Sequence, residues 1–459
     1  MAAHDSHVVS TATTRSNSPV YGYESPNEEN QPCFFSAPSP TPSVQRAQFA
    51  TPVQRPVQAP GTKFASEPPV AAVPRPRVSF NRPYFQSNQS SINDVMVKAE
   101  KRLSLGQVTL KDRIACYQWT YFTMTMATGG IANVLHSCKL SPRLVLMRGA
   151  SKQQLIPFVN SFTDQVESLF IPAFFVSIAI ILINICEYGV PNCGTWLLRT
   201  MEIAFWIYIG ASSVASAGLY LVLWSTLVFP VHMMTPTWVF PAYPLLISAP
   251  FAANLIDAAD ISGHTLFTNK AAIALCATAT QGTGCLIAFM ISAAFIYRLM
   301  TQKLPRDMQR PGVFISIGPF GFTAAGIAQL GGQAKHVMPD NFLETPITAD
   351  VIKVVSALVG LWLWGLSMWF FLVSVGSLWK YVRSGHKLPF QMTWWSFVFP
   401  NTALVIATEA MADVFHSNSL HILGAAMAVV LVVVWVGVFL TMFHCLRTRK
   451  LLWPKDAPV

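Results

Sequence analysis

Nine long apolar runs follow residue 115, and they constrain the fold more than any other feature of the sequence. The runs cover residues 116–138, 166–186, 196–225, 236–256, 271–300, 312–331, 350–382, 392–412 and 418–446. Each approaches or exceeds the roughly 20 residues that an α-helix needs to cross the hydrocarbon core of a bilayer. Lipid offers no partner for unpaired backbone groups, and none of the runs alternates like a barrel strand, so each is predicted to be helical. The sequence thus predicts an all-α polytopic membrane protein with nine evident transmembrane helices.

The composition supports this fold class. Hydrophobic residues make up 52% of the chain and charged residues only 11%, whereas a soluble domain carries about 25% charged residues. The net charge of +10 does not indicate nucleic acid as a partner, because Lys and Arg lie in the N-terminal part and between apolar runs, as the positive-inside rule expects. The cysteines have no metal-ligand spacing. Clustered catalytic residues are missing too, so neither a cofactor nor an enzymatic activity is expected.

The chain divides into three parts by composition. Residues 1–105 are rich in Pro, Ser and Gln, and such a segment buries too little apolar surface to offset its ordering entropy. They are predicted to form a disordered cytoplasmic tail. Residues 106–450 form the predicted transmembrane domain, and 451–459 a short cytoplasmic tail. The expected location is the plasma membrane, with a cytoplasmic N-terminus.

Helix breakers divide the nine runs into two kinds. Five runs carry breakers well inside them: Gly129-Gly130, Pro172, the set Pro241/Pro244/Pro250, Gly318-Pro319-Gly321, and Pro400. The other four contain no proline, and after the first two runs the two kinds alternate. A mid-helix proline frees a carbonyl, which is tolerated in a membrane where neighbours or a water-filled cavity satisfy it. The broken helices are therefore predicted to surround a central cavity, with the unbroken ones as an outer ring.

Five stretches on the broken helices resemble one family of transporters. They read YQWTYFTMTMATGGIANVL at 117–135, VESLFIPAF at 166–174, PTWVFPAYPLLI at 236–247, RPGVFISIGPFGFTAAGI at 310–327 and WWSFVFPNTALVIATE at 394–409. They are similar to the tellurite-resistance/dicarboxylate transporter family, which includes fungal malate permeases, fungal sulfite pumps and the slow-type anion channels of plant guard cells. The resemblance covers roughly residues 110–455 and is closest to the malate permeases.

The resemblance implies ten helices in five hairpins around a central anion pore, with relatives assembling as trimers that have one pore per protomer. A phenylalanine before the proline of the ninth helix plugs the pore of the channels, and Phe399 matches it here. The alternative is that Phe399 is an aromatic residue packed between helices. Small anions, lipid, possible protons and a homotrimeric partner are the expected interactions.

Candidate pore-lining or substrate-binding residues lie at and beside the breaks. Kinked helices present unpaired N–H groups at half-helix N-termini, and hydroxyls add further donors for an anion. The candidates are Thr125, Thr128, Gly129, Pro172, Pro244, Ser316, Gly318, Pro319, Pro400 and Thr402. The alternative for the Thr and Ser residues is a hydrogen bond to a carbonyl one turn earlier in their own helix.

Glu409 is the candidate proton-coupling group. It follows Pro400 on a predicted pore helix, and intramembrane carboxylates are often functional. The alternative reading places Glu409 in an outer vestibule near water. Two functions remain open: a secondary carrier of malate or a related dicarboxylate, coupled to protons, or an anion channel or sulfite-type efflux protein.

Residues 139–165 depart from the family. The alternation requires an unbroken helix there, but the apolar patches of this stretch are too short to span a bilayer, and it contains Arg143, Arg148 and Lys152. Either the stretch crosses the membrane in an irregular form, or the second helix of the family has been lost through splicing or a mistaken gene model. We favour the loss, because three cations in lipid would be costly. Transport is then predicted to be impaired until a spanning helix is restored.

Overall fold

The computed structural model describes residues 118–139, 167–339, 342–382 and 388–451. Nine long helices account for most of this part of the chain. They are α1 (Phe122–Ser137), α2 (Pro172–Asn184), α3 (Thr195–Thr226), α4 (Ser248–Ser262), α5 (Lys270–Gln302), α6 (Ile317–Gly332), α7 (Thr348–Ser377), α8 (Phe399–Phe415) and α9 (Asn418–Arg447). The predicted tail at 1–105 lies outside the described residues, as does the predicted stretch 139–165 apart from Lys139.

Short helical segments precede the broken helices. A single turn at Glu167–Phe170 precedes α2, and 3-10 segments precede the other four: Trp119–Tyr121 before α1, Pro236–Ala242 and Leu245–Ile247 before α4, Asp307–Ser316 before α6, and Met392–Phe397 before α8. Prolines explain the breaks before α2, α4, α6 and α8, since a proline removes one N–H and clashes with the preceding turn. The 3-10 turn before α1 has no proline in or beside it. After α2 the chain continues as a π-helical segment, Ile185–Gly189, and a 3-10 turn, Val190–Asn192.

Eight of the helical segments in the described residues are long and apolar enough to cross a membrane. Each corresponds to one of the predicted runs, so the all-α polytopic fold class is confirmed. The first run, 116–138, is also helical, but α1 has only 16 residues. The 3-10 turn that precedes α1 brings the helical segment closer to the length that a membrane span needs.

The five broken helices, α1, α2, α4, α6 and α8, form a closed ring of parallel helices. The Asn184 side chain donates to the Gly129 carbonyl at 3.2 Å, and one turn further along both helices Tyr188 donates to the Ala132 carbonyl at 2.8 Å. Because these contacts advance in the same direction, α1 and α2 are parallel. Contacts of α2 with α4, α4 with α6, α6 with α8, and α8 with α1 complete the ring.

Glycines set the spacing of this ring. A Cβ at Gly321 of α6 would lie 2.9 Å from the backbone of Ala403 on α8. A Cβ at Gly130 of α1 would lie 2.8 Å from the hydroxyl of Thr402 on the same helix α8. Real Cβ atoms do not approach this closely, so the glycines allow backbones to meet as small residues do at membrane helix interfaces.

The four unbroken helices lie outside the ring, each antiparallel to the inner helix that precedes it. In the apolar spans of α2, α4, α6 and α8, 61–89% of residues are buried, whereas in those of α3, α5, α7 and α9 only 22–39% are. The predicted division into inner and outer helices is confirmed. The break predicted at Gly129-Gly130 is wrong, because α1 continues through both glycines, and the break in the sixth run lies before α6, which itself contains Gly318-Pro319-Gly321. Large hydrophobic side chains such as Trp362 and Val433 are exposed on the outer helices, as a lipid-facing surface requires.

No antiparallel outer helix directly follows α1 among the described residues. Because α1 and α2 are parallel, the end of α1 at Ser137 and the start of the next segment at Glu167 lie at opposite ends of the bundle. Residues 140–166, which join these two points, lie outside the described residues. The loss of the second helix therefore stays a prediction.

Candidate anion pathway

An aromatic cluster closes the centre of the inner ring. Phe399 is the first residue of α8, directly before Pro400, and its side chain is buried. Its ring centroid lies 5.3 Å from that of Phe322 on α6 and 6.2 Å from that of Tyr243, which precedes α4. Three inner helices thus contribute one ring each to a constriction. The gating role of Phe399 stays a prediction. If Phe399 gates the pathway, it closes against the rings of Phe322 and Tyr243.

Tyr243 is held in place by two features of α6. Its hydroxyl donates to the carbonyl of Ile315 at 2.6 Å, so it satisfies a backbone group at the kink before α6. A Cβ at Gly318 would lie 2.5 Å from the same hydroxyl. Only a glycine at position 318 leaves room for the Tyr243 side chain. Gly318, one of the predicted site residues, therefore positions Tyr243 in the constriction.

A narrow cavity lies directly beyond Phe322, and all five inner helical segments line it. Its apolar lining is Ile180, Ile183, Pro250, Phe322 and Ile406, and its polar lining is Asn133, Ser137, Glu187, Asn254 and Gln329. The volume open to the centre of a water molecule is about 20 Å³, little more than one water needs. The pathway is therefore closed to an organic anion in this conformation.

Three of the polar cavity groups have hydrogen-bonding capacity to spare. The buried Oδ1 of Asn133, Oε1 of Gln329 and Oε2 of Glu187 have no hydrogen-bond partner in the described part of the chain. A buried polar atom without a partner costs free energy and usually has a functional or solvent explanation. All three unpartnered atoms are oxygens and therefore accept hydrogen bonds, so a carboxylate would have to bind through the N–H groups of the amide side chains.

The four predicted hydroxyl residues lie outside the lining of this cavity. The Thr128 hydroxyl accepts a hydrogen bond of 3.3 Å from Trp435 Nε1 on α9. The Thr402 hydroxyl donates to the carbonyl of Phe399 at 2.6 Å, which is the within-helix alternative. Thr125 is half-buried, and Ser316 is buried with its Oγ unpartnered among the described residues. None of the four belongs to the cavity lining, and their binding role stays a prediction.

The remaining predicted glycine and prolines shape the helices. A Cβ at Gly129 would lie 2.5 Å from Ile180 of α2, and Pro172 begins α2. The carbonyl of Pro244 accepts a hydrogen bond of 2.6 Å from Tyr208 on α3. The carbonyl of Pro319 accepts one of 2.6 Å from the Thr323 hydroxyl. These hydroxyls satisfy carbonyls next to the breaks, as a membrane interior demands.

Glu409 lies at the interface of α8 with α9 and the end of α1. Its Oε2 is 2.7 Å from His421 Nδ1 near the start of α9, and its Oε1 is 3.7 Å from Cys138 Sγ. A Cβ at Gly424 would collide with the Glu409 side chain, so it is directed at α9. Glu409 is not among the residues that line the cavity. A proton-coupling role for it stays a prediction.

Sequence reasoning missed Phe322, Tyr243 and the polar cavity groups. Glu187 follows directly after the predicted apolar run 166–186, so it lies just outside the predicted span. Asn133 lies one turn after Gly129-Gly130. A polar residue shortly after a helix breaker could have indicated a cavity-lining position here. The sequence does not show toward which neighbouring helix such a side chain is directed.

Comparison with known proteins agrees with this architecture. The sequence pattern of the voltage-dependent anion channel family matches residues 116–443, more than half of the chain. The chain therefore belongs to the voltage-dependent anion channel family, whose members transport or conduct anions. It is a multi-pass membrane protein.

Individual relatives of the chain are named as transporters. The malic acid transport protein of Schizosaccharomyces pombe is 22% identical over 367 residues, which is 76% of this chain and 82% of that protein. A putative malic acid transport protein of the same organism is 22% identical over 77% of this chain and 85% of its own length. The sulfite efflux pump of Trichophyton rubrum is 28% identical over 61% of this chain and 71% of its own length.

Proposed function

We propose that the protein is a secondary transporter that moves malate or a related small dicarboxylate across a membrane, coupled to protons. The observation that carries the proposal is the cavity at the centre of the inner ring. It is closed on one side by Phe322 and Phe399 and lined beyond them by amide side chains. The similarity to malic acid transport proteins over three quarters of the chain supports the choice of substrate.

The cavity chemistry suits a carboxylate that must bind and leave again. A fully charged Lys or Arg would hold the anion too tightly for turnover, whereas conduction needs binding that is weak enough to release. The amides of Asn133, Asn254 and Gln329 supply N–H donors without a net charge. The positive N-terminal ends of α6 and α8 lie at the constriction, on the path by which an anion reaches the cavity.

An anion channel or a sulfite-type efflux protein is the second candidate. Two observations favour it: a single aromatic constriction, which a small inorganic anion passes more readily than malate, and 28% identity to a sulfite efflux pump. In this alternative the flux needs no proton, because opening the constriction would suffice.

The proposed setting is a homotrimer in the plasma membrane, with the N-terminal tail in the cytoplasm. Basic groups gather at the end of the bundle where α6 and α8 begin. Lys380 pairs with Asp307 at 2.7 Å, and Arg310 donates to the carbonyl of Ser377 at 2.7 Å. Under the positive-inside rule this end is the cytoplasmic one.

Uptake of radiolabelled malate, succinate and sulfite by yeast that lacks its own permease tests the proposal. We expect malate uptake that rises when the external pH is lowered. It should be measured for the chain and for the same chain with a spanning helix placed between α1 and α2, because impaired transport is predicted without one. Sulfite flux that is independent of pH, with no malate uptake in either form, would favour the second candidate.

A further inference from the structure

Glu187 occupies an unusual position in the backbone. It lies in the π-helical segment Ile185–Gly189 that follows α2, and π-helical turns occur frequently at functional sites. Its side chain is only 4% exposed, yet it lines the cavity beyond the Phe322–Phe399 constriction. This is the one carboxylate among the cavity-lining side chains of the described residues.

No cation in the described part of the chain pairs closely with Glu187. The nearest basic atom is Nδ1 of His136 on α1, at 3.9 Å from Oε2, which has no hydrogen bond. Asp257 on α4 interacts electrostatically with both Glu187 and His136. Asp257 in turn faces Asp260, whose carboxylate pairs with Lys270.

The other groups around Glu187 carry no charge. The Tyr188 hydroxyl donates to a backbone carbonyl of α1, and the Tyr188 ring lies 5.2 Å from the His136 ring. Helices α6 and α8 present Gln329 and Ile406 to the same cavity. His136 is 39% exposed and thereby connects the buried carboxyl with the water at the end of the bundle.

An ionised Glu187 would oppose anion transport in two ways. A buried carboxylate without a paired cation carries a large desolvation cost. It also places a negative charge where an anion must pass, and like charges at one site disfavour double ionisation. A single proton on Glu187 removes both costs and turns the carboxyl into an O–H donor.

We propose that Glu187 is the proton-binding group of the anion pathway, so that an anion occupies the cavity when Glu187 is protonated. The proposal rests on the function proposed above and deepens it. One proton passes from water to the Glu187 carboxylate by way of His136, and it is released again after the anion leaves. Because the two ligands share one site, each raises the affinity of the other by the same factor.

Glu409 is the competing carboxyl, and its surroundings differ. Its Oε2 lies 2.7 Å from His421 Nδ1, so this carboxyl has a close hydrogen-bond partner, which Oε2 of Glu187 lacks in the described part of the chain. Its side chain is directed at α9 and away from the cavity. Removal of the Glu409 carboxyl is therefore expected to leave the coupling of proton and anion in place.

Malate binding to the purified full chain in nanodiscs tests the assignment. Isothermal titration in two buffers of different ionisation enthalpy gives both the affinity and the number of protons taken up. The titrations run at about pH 6.5 and about pH 8, where both carboxyls of free malate are ionised. With one proton bound per malate, we expect affinity to weaken by up to about tenfold per pH unit.

The variants are Glu187→Gln, Glu409→Gln and, as a surface control, Asp350→Asn. Asp350 pairs with Lys335 at an exposed site outside the cavity. We expect Glu187→Gln to bind malate without proton uptake and with little pH dependence, and the other two variants to behave as the wild type does. If Glu187→Gln kept the wild-type proton uptake, or Glu409→Gln lost it instead, the assignment would be wrong.

Two further outcomes separate the assignment from the proposed function. Malate binding to the wild type without proton uptake overturns the role of Glu187 and leaves malate as the substrate. No malate binding at any pH, either to the wild type or to the same chain with a spanning helix placed between α1 and α2, overturns the proposed function and the assignment with it. Should Glu187→Gln not fold, Glu187→Asp decides: its shorter carboxyl must move the pH midpoint of malate affinity, and an unchanged midpoint contradicts the proposal.

Discussion

The inner and outer helices of this protein have similar hydrophobicity and very different surroundings. Inner helix α8 is buried at every residue from Phe399 to Ala412, whereas outer helix α9 buries only 22% of its apolar span. A short helical segment precedes each inner helix, whereas the outer helices α5 and α9 run unbroken over 33 and 30 residues. Hydrophobicity therefore directs both kinds of helix into the membrane. Helix breakers distinguish the inner helices from the outer ones.

The outer helix that would follow α1, and that the sequence predicts to be lost, gives this comparison its sharpest test. Four outer helices accompany five inner ones in the described residues. Replacing residues 140–166 with an apolar helix of about 27 residues, long enough to span with tilt, should raise anion transport at least about tenfold, which corresponds to about 1.4 kcal/mol. The measurement is malate uptake into vesicles at matched protein levels. Equal transport by the original chain would show that no further helix is needed.

Removing the aromatic ring of Phe399 should have the next largest effect. Phe399→Ala deletes one wall of the constriction with Phe322 and Tyr243, and it weakens a hydrophobic barrier that excludes water and ions. We expect passive anion flux to rise about tenfold, for which a barrier lower by about 1.4 kcal/mol suffices.

The matched control is Phe289→Ala, because Phe289 is an exposed ring on outer helix α5. Anion efflux from proteoliposomes is measured with both variants in the original chain and in the helix-restored form. Flux through correctly inserted Phe399→Ala that equals the flux of Phe289→Ala would remove Phe399 from the gate.

Glycine substitutions compare inner and outer packing directly. At Gly326 of α6 a new Cβ would lie 2.6 Å from Pro250 of α4, whereas at Gly282 of α5 it would meet nothing within 4 Å. Overpacking costs about 1–3 kcal/mol, so Gly326→Val should lower the thermal stability clearly and Gly282→Val should change it little. Thermal unfolding followed by size-exclusion chromatography of fluorescent fusions measures both. Equal stability of the two variants would contradict the close inner packing.

The N-terminal tail should have the smallest effect. Its sequence predicts that residues 1–95 contribute no packing to the transmembrane domain, so deleting them should leave insertion and trimer formation unchanged. Membrane fractionation and crosslinking of the shortened chain check this prediction. Loss of insertion or of trimers would assign the segment a structural role.

Much of the fold could be predicted because it depends on local sequence signals. Run length indicates a spanning helix, and a proline such as Pro172 or Pro400 marks a break wherever the chain packs. The alternation of broken and unbroken runs then separated the inner from the outer helices before any contact was known. These signals need only the sequence within one helix.

The site was harder to predict because the few polar residues of the inner helices do not form one recognisable polar face. Without a polar face, the sequence does not reveal which way Thr128 or Glu409 points, and packing directs them to Trp435 and His421 on α9. The pairing of Phe399 with Phe322 likewise joins residues from different helices. Such contacts depend on how each inner helix is rotated about its own axis. That rotation is set by the glycines at which neighbouring inner helices approach closely.

The parallel orientation of the five inner helices has an electrical consequence. Each helix carries about half a positive elementary charge at its N-terminus and about half a negative one at its C-terminus. Because the inner helices all begin at the basic end of the bundle and end near Glu187 and Asp257, their fields add along the axis. An anion inside the ring therefore moves along a built-in potential slope, and the pore should act as a rectifier whose current at equal and opposite voltages is unequal.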